Sequence, residues 1–362
     1  MKKAFLCFSI IILAVIMAAT LLMGCKTKSS ETTTSEATTV TTAKAEETTQ
    51  AEAETTVQVK KIHFIFVPKL VHPWYDAVEA GIKTAIEDYA KEGYEITYDW
   101  NAPQSADIAL HVQTVEAATM KKPDILAVSS LDPASDTPVI NEAVDNGTKV
   151  LTFDCDAPDS KRTIYVGLPI ETDINDSGKM IADFMVKQMG TDKGEIALLA
   201  GSPTAPNHVA RVESFKKYIA EAYPDLKLVA EEFDEDSIEK SVTLTEAILS
   251  SHPNLKAIYG VNASDGVGAV QAIKAAGKKA GEITVMGVGD LAELMDDIKT
   301  GYVSGTYTCG VFVIGYQAIK YGVAMFNGEE VPDTFAIPAV IISKDNLDGY
   351  EKLKVSKVGL PE

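Results

Sequence analysis

From about residue 60 onward, short apolar runs alternate with longer amphipathic stretches. Ten runs have the length and the β-branched or aromatic content of strands: 62–67, 94–100, 124–130, 149–154, 162–167, 195–201, 226–233, 255–262, 283–289 and 303–308. The stretches between them carry helical spacing. In one, Val78, Ile82, Ala85, Ile86 and Tyr89 share a face; in another, Leu244, Ala247, Ile248 and Leu249 do. Apolar strands alternating with helices imply parallel sheets covered by helices. Ten strands are many for one sheet, so the pattern predicts an α/β protein of two doubly wound parallel-sheet domains.

Before residue 60 this pattern is absent. Residues 26–59 are mostly Thr, Ser, Ala and Glu, with no aromatic residue, and cannot bury enough surface to order themselves. They read as a flexible linker. Residues 1–25 begin with Lys2 and Lys3 and continue through an almost wholly apolar run from 4 to 22, the layout of a secretory signal. A run this long also suits a single-pass anchor. Its end, Leu22-Met23-Gly24-Cys25, resembles the lipobox of bacterial lipoproteins, which implies a signal peptide over 1–25 and lipid attachment at Cys25. Either reading puts the rest of the chain outside the cytoplasm and beside a membrane.

Charge and cysteine usage narrow the chemistry. The net charge of −19 over 362 residues argues against a nucleic-acid partner, which needs a basic face. Cys7 belongs to the signal and Cys25 to the anchor, leaving Cys155 and Cys309 in the folded part, read as two separate buried thiols. No CxxC and no Cys/His cluster is present, so no metal or other cofactor is expected.

In parallel α/β sheets, ligands bind beyond the carboxyl ends of the strands. The residues found there are Lys69, His72, Trp74 and Tyr75 after the first run, Asp154 after the fourth, Asn207, His208 and Arg211 after 195–201, Asn262 after 255–262, and Asp290 after 283–289. Carboxylates, amides and guanidinium forks with aromatic faces suit a polyol: the polar groups take hydroxyl pairs and an aromatic face covers C–H. Each has a plainer reading. Asp154, Asp290 and Asn207 can cap helices, Trp74 and Tyr75 can pack between helix and sheet, and His72 can be a loop residue. His63, His111 and His252 carry no assigned role.

Gly287-Val288-Gly289-Asp290-Leu291-Ala292 matches the dinucleotide fingerprint between a strand and a helix. It falls late in the chain, and Asp290 would set a carboxylate where pyrophosphate must lie. No phosphate loop and no G-x-S-x-G elbow occurs. With no nucleophile–base pair evident, the chain reads as a binding protein rather than an enzyme.

Several stretches together resemble the type I periplasmic sugar-binding proteins, the solute receptors of ABC importers: FVPKLVHPWYDAVEAGIKTA, KVLTFDCDAP, IYGVNASDGVGAVQAIKAAG, VMGVGD and IKTGYVSGTYTCGVFVIGYQAI. The resemblance implies two domains joined by a three-strand hinge. These are 60–165 plus 308–337 and 166–307 plus 338–362, with crossings near 163–168, 305–311 and 335–340. It implies a monomer that closes on a small monosaccharide or related polyol and engages ABC permease subunits. Trp74 would stack on the ring and Asp154 would take a hydroxyl pair, with Arg211, Asn262 and Asp290 closing from the other side. Compared with the ribose-type receptors, Cys155 replaces an arginine, Gly289 an aspartate and Cys309 a glutamine. The chain is also similar to the autoinducer-2 receptors, which would make Lys69, Asp154, Asn207, His208, Val261 and Ala263 pocket residues, and to the rhamnose-type receptors. A ligand-sensing subunit for a membrane kinase or chemoreceptor would present the same pocket. A DNA-binding repressor of this fold would need a basic helix-turn-helix, which the chain lacks.

Overall fold

The first strand, β1 (Lys60–Val67), begins on exposed lysines and is fully buried from Phe64 to Val67. A strand covered on both faces does not alternate, so its sequence reads as a continuous apolar run. It opens a computed structural model that describes residues 59–359. The signal segment, Cys25, nearly all of the 26–59 linker and residues 360–362 lie outside the described residues.

After β1 come α1 (Tyr75–Lys91), β2 (Tyr94–Trp100), α2 (Ile108–Met120), β3 (Ile125–Val128), α3 (Pro133–Asp145), β4 (Lys149–Phe153) and β5 (Ile164–Gly167). The chain continues through α4 (Ile170–Thr172), a π-helical turn (Asp173–Ser177), α5 (Gly178–Met189), β6 (Gly194–Ala200), α6 (Pro206–Ala222), β7 (Leu226–Phe233) and α7 (Ile238–Ser251). Next are β8 (Leu255–Gly260), α8 (Ala263–Ala275), β9 (Thr284–Val288), α9 (Ala292–Thr300) and β10 (Gly305–Thr308). The last elements are α10 (Val311–Asn327), β11 (Thr334–Ala336), β12 (Val340–Ser343) and α11 (Leu347–Leu353). Helix starts follow local chemistry: the side chains of Asp107, Asp132 and Ser237 accept backbone N–H groups at the starts of α2, α3 and α7.

The strands form two sheets of six, ordered β11-β5-β4-β3-β1-β2 and β12-β10-β9-β8-β6-β7. The first sheet is wholly parallel. The second is parallel except where β12 runs against β10. The doubly wound α/β class expected from the sequence is the class observed. β11 and β12 were not among the ten runs: they have three and four residues, are mostly half-buried and lack a periodic signature. Each sheet and its helices form a lobe. One apolar cluster continues from Phe64 and Phe66 in the first lobe to Tyr259 and Tyr307 in the second. Separate clusters line the other sheet faces, around Ile65 and Val115 and around Leu199 and Val267.

Topology indicates where to look for a site. In the first sheet the winding reverses at β1, which lies between β2 and β3; in the second it reverses at β6, between β7 and β8. Crevices beyond the carboxyl ends of such strands are the binding places of open α/β sheets. α8 is buried on every side from Ala263 to Val270, so its apolar sequence follows from its position, and its N-terminus is held rigidly at the second switch point. The chain's last described residues turn back to the first lobe. There Gln317 Nε2 donates to the Lys357 carbonyl at 2.6 Å, and Lys357 pairs with Asp88 of α1.

Candidate functional site

Between the two switch points lies a cavity of about 70 Å³, lined from both lobes. Lys69, His72, Trp74, Tyr75, Asp154, Asn207, His208, Arg211 and Asn262 all line it, so nine of the ten expected site residues are brought together. Asp290 is the correction: it is not among the lining residues, and Val288 and Gly289 present that strand end instead. Its carboxylate accepts the Tyr350 hydroxyl of α11, a partner whose position next to β9 depends on the final fold.

The first-lobe wall is organised around Asp154. This residue stands at φ 59°, a left-handed conformation uncommon outside glycine and enriched at functional sites. Its backbone is held by N–H donation to the Val166 carbonyl at 3.1 Å and by the Tyr165 hydroxyl on its own carbonyl at 2.7 Å. Oδ2 accepts the Tyr75 hydroxyl at 2.9 Å and the Ser129 hydroxyl at 2.8 Å, and Lys69 Nζ lies 3.5 Å away. Oδ1 has no hydrogen-bond partner among the described residues. Lys69 is buried, which works against its charge, but Asp154, Cys155 and Tyr75 together hold its pKa well above the ordinary value. The Tyr75 ring packs on Trp100 and Phe153, so this aromatic serves the core with its ring and Asp154 with its hydroxyl.

Two first-lobe residues reach the second lobe. His72 Nδ1 accepts the Trp74 N–H at 3.1 Å, so the proton of the neutral ring sits on Nε2, which donates to Ser264 Oγ at 2.9 Å. Burial, then Lys69, lowers the His72 pKa to about 4. The Trp74 indole lies on Gly289, where a Cβ would come within 3.0 Å of Trp74 Cδ1 and φ is +85°. A side chain there would both clash and be strained.

In the second lobe, Arg211 Nε donates to Asp173 Oδ1 at 3.1 Å, and Nη1 donates to the Val261 carbonyl at 3.3 Å. The Tyr307 hydroxyl also donates to Asp173 Oδ1, at 3.1 Å, and the guanidinium lies over the Tyr307 ring. The π-helical turn thus supplies the carboxylate that fixes the Arg211 fork. His208 Nδ1 accepts the Ser202 N–H at 3.0 Å, leaving Nε2–H at 3.9 Å from Asp236 Oδ1. Burial, then Lys69 and Arg211, keeps this imidazole neutral by lowering its pKa well below the usual range.

The plainer capping readings resolve differently from expectation. Neither Asp154 nor Asp290 is an N-cap. Asn207 sits within the first turn of α6, whose N-cap is Ala205. Asn262 is the cap: its Oδ1 accepts the N–H groups of Ser264 and Asp265, and Asp265 accepts the Asn262 N–H in return. Its remaining polar atom, Nδ2, donates to Asp236 Oδ1 at 2.8 Å.

Asp236 was not among the expected residues, although it also lines the cavity. Its local signal, an acidic FDED run after β7, is indistinguishable from a solvated turn. Tyr307, Cys309, Ala263 and Leu168 complete much of the remaining wall. Cys155 and Cys309 are both free and buried. Val261 is not a lining residue, and its contribution is the carbonyl under Arg211. His111 lies apart from the cavity lining, buried against Asp136 at 2.9 Å. Among the described residues, no three His, Cys, Asp or Glu side chains gather as metal ligands. The cavity offers amide, carboxylate and guanidinium groups and an indole, with Lys69 paired to Asp154 and Arg211 paired to Asp173 behind the wall. At about 70 Å³ it is well below the ~150 Å³ that admits a benzene ring.

The family described as periplasmic binding protein domain matches residues 64–330. The D-ribose/D-allose-binding protein of Pseudomonas aeruginosa is 25% identical over 244 residues, 67% of this chain and 75% of that protein. The ribose import binding protein of Bacillus subtilis is 24% identical over 273 residues, 75% of this chain and 84% of the relative. The crystal structure of an ABC transporter solute-binding protein from Burkholderia graminis, in complex with D-arabinose, is similar with a TM-score of 0.73. It is 30% identical, and the match covers 81% of this chain and 99% of that one. A match of this length on so similar a fold is decisive: the chain belongs to the type I periplasmic sugar-binding protein family.

Proposed function

We propose that this protein captures a small monosaccharide or related polyol between its lobes and delivers it, outside the cytoplasm, to an ABC importer. The observation that carries this reading is the convergence of prealigned groups from both lobes on one cavity. Asp154 presents its unpartnered Oδ1, Arg211 is held by Asp173 and Val261, and Trp74 adds an aromatic surface. Groups locked before binding lose little entropy on binding. The relatives named for D-ribose, D-allose and D-arabinose support the same solute class. Residues 60–165 with 308–337 would move as one body and 166–307 with most of 338–362 as the other, the segment around Lys357 staying with the first, rotating about three crossings. The closed form would be what the permease subunits recognise. Lipid at Cys25 and the 26–59 linker would tether a monomer to the membrane.

A second reading has its own support. Lys69, Asp154, Asn207, His208 and Ala263, five of the six residues implied by the similarity to autoinducer-2 receptors, line this cavity. Thermal-shift and calorimetric titrations with D-ribose, D-allose, D-arabinose, xylitol and autoinducer-2 separate the two, because a ligand of the folded state raises Tm by mass action. A shift with a sugar or polyol, lost in Trp74→Ala and Asp154→Ala variants that still fold, is the expected result. A shift with autoinducer-2 alone would transfer the function to signal capture. Undiminished binding in both variants would remove the cavity from the mechanism.

A further inference from the structure

Asp236 is held at the cavity with one oxygen satisfied and the other bare. The segment after β7 is tied to the end of β6: Asp234 N–H donates to the Ala200 carbonyl and Glu235 N–H to the Gly201 carbonyl, both at 2.9 Å. Asp236 N–H donates to Asp234 Oδ1 at 3.0 Å, and the residue adopts φ 59°. Gly201 makes room for this. A Cβ there would come within 2.1 Å of both Asp236 Oδ1 and Asn262 Nδ2. Oδ1 thus accepts from Asn262, while Oδ2 is buried and has no partner. A buried carboxylate oxygen without a donor is costly to maintain. The nearby polar groups do not relieve it: Asn262 is committed to Oδ1, and His208 Nε2 stands 3.9 Å from that same oxygen.

We infer that Asp236 is a ligand-contacting and specificity-determining residue of the second lobe, its Oδ2 accepting a hydroxyl of the bound sugar or polyol. This rests on the function proposed above. Asp154 would then grip the ligand from the first lobe and Asp236 from the second, so that full satisfaction of both carboxylates requires closure. An adjoining hydroxyl pair could be shared with the second Nδ2–H of Asn262, giving a donor–acceptor edge that selects ligand stereochemistry.

The geometry makes Asp236→Asn a sharp probe. Asn262 Nδ2 must still find an acceptor, so the new amide oxygen takes the Oδ1 place and its NH2 replaces Oδ2. The cavity then meets a donor where it had an acceptor. Calorimetry with D-ribose, D-allose, D-arabinose and xylitol identifies the tightest binder, and its monodeoxy forms are then measured on both proteins. Losing a hydrogen bond to a charged group is expected to weaken binding of the parent compound by about 10- to 150-fold. One deoxy form, lacking the contacted hydroxyl, should bind both proteins equally. A uniform loss for the parent and every deoxy form would overturn the contact, leaving Asp236 as support for Asn262. Unchanged affinity in Asp236→Asn, with binding lost in Asp154→Ala, would overturn this inference alone. Absence of binding by every compound would remove the proposed function and this inference with it. Should Asp236→Asn fail to fold by circular dichroism, Asp236→Ser, which leaves space for a water, takes its place in the same measurements.

Discussion

The Arg211–Asp173 pair offers a quantitative check on how the site is built. Both side chains are buried, at 9% and 1% relative exposure, and Asp173 Oδ1 accepts both Arg211 Nε and the Tyr307 hydroxyl. Burial pushes the Asp173 carboxyl up, and Arg211 offsets this only in part, so the pair is held against a desolvation cost. Such pairs stabilise little relative to an apolar replacement, yet removing one member strands the other. Asp173→Ala leaves a buried guanidinium without its counter-ion and a tyrosine hydroxyl without its acceptor. The expected cost is about 3–5 kcal/mol. Asp173→Asn keeps an oxygen for both donors but removes the charge, and should cost less. The double variant Asp173→Leu/Arg211→Met strands no charge, although it still leaves the Tyr307 hydroxyl without its acceptor, and should recover part of the alanine loss. Urea denaturation of the four proteins at pH 7, followed by circular dichroism, measures these differences. A cost below ~1 kcal/mol for Asp173→Ala, the range of an exposed pair, would refute the claim that this pair is a buried constraint on Arg211. Failure of the double variant to recover stability would refute the reasoning about the stranded charge.

Two further outcomes follow from the site's electrostatics. Burial lifts Asp236 to about 6 and lowers His72 to about 4. Unfolded, these groups titrate near ~4 and ~6.5, so each shift is worth about 3 kcal/mol. Asp236 contributes stability that is present below about pH 4 and lost as pH rises through about 6. His72 contributes stability that is present above about pH 6.5 and lost as pH falls through about 4. The two slopes oppose each other, so the stability of Asp236→Asn should rise with pH relative to wild type between about pH 4 and 6 in urea titrations; parallel profiles would contradict the assignment. Cys155 and Cys309 are buried thiols lifted to about 12, by burial first. At pH 8, residue-resolved mass spectrometry should find both unmodified by iodoacetamide until the protein is unfolded, since the thiolate is the reactive form.

Much of the site could be read locally because strand ends in a parallel sheet are local events. An apolar run that stops, followed by Lys69, His72 and Trp74 or by Asp154, marks a chain emerging at the sheet's carboxyl edge, wherever that sheet lies. Nine residues chosen this way line one cavity. The failures share a cause. Asp290 meets the same local criterion as Asp154, but α11 brings Tyr350 to it from 60 positions along the chain and takes its carboxylate. Asp236 belongs to an acidic run with no local signature of a site, and bonds from Asp234 and Glu235 to the end of β6 hold it at the cavity. β11 and β12 are too short for a period and exist because neighbouring strands provide edges to pair with.

The alternation of buried runs and amphipathic helices was therefore enough to specify the α/β class, since each strand's burial is written in its own composition. The roles of individual carboxylates were not. Asp154, Asp236 and Asp290 carry the same side chain near strand ends. One keeps an oxygen open to the cavity beside Lys69, one is held by Asn262 with an oxygen bare, and one is capped by a distant tyrosine. Those differences arise from partners tens of residues away along the chain: Lys69 beside Asp154, Asn262 on Asp236 and Tyr350 on Asp290. Hydrogen bonding and desolvation act through space, and only the packed tertiary structure determines which groups are neighbours.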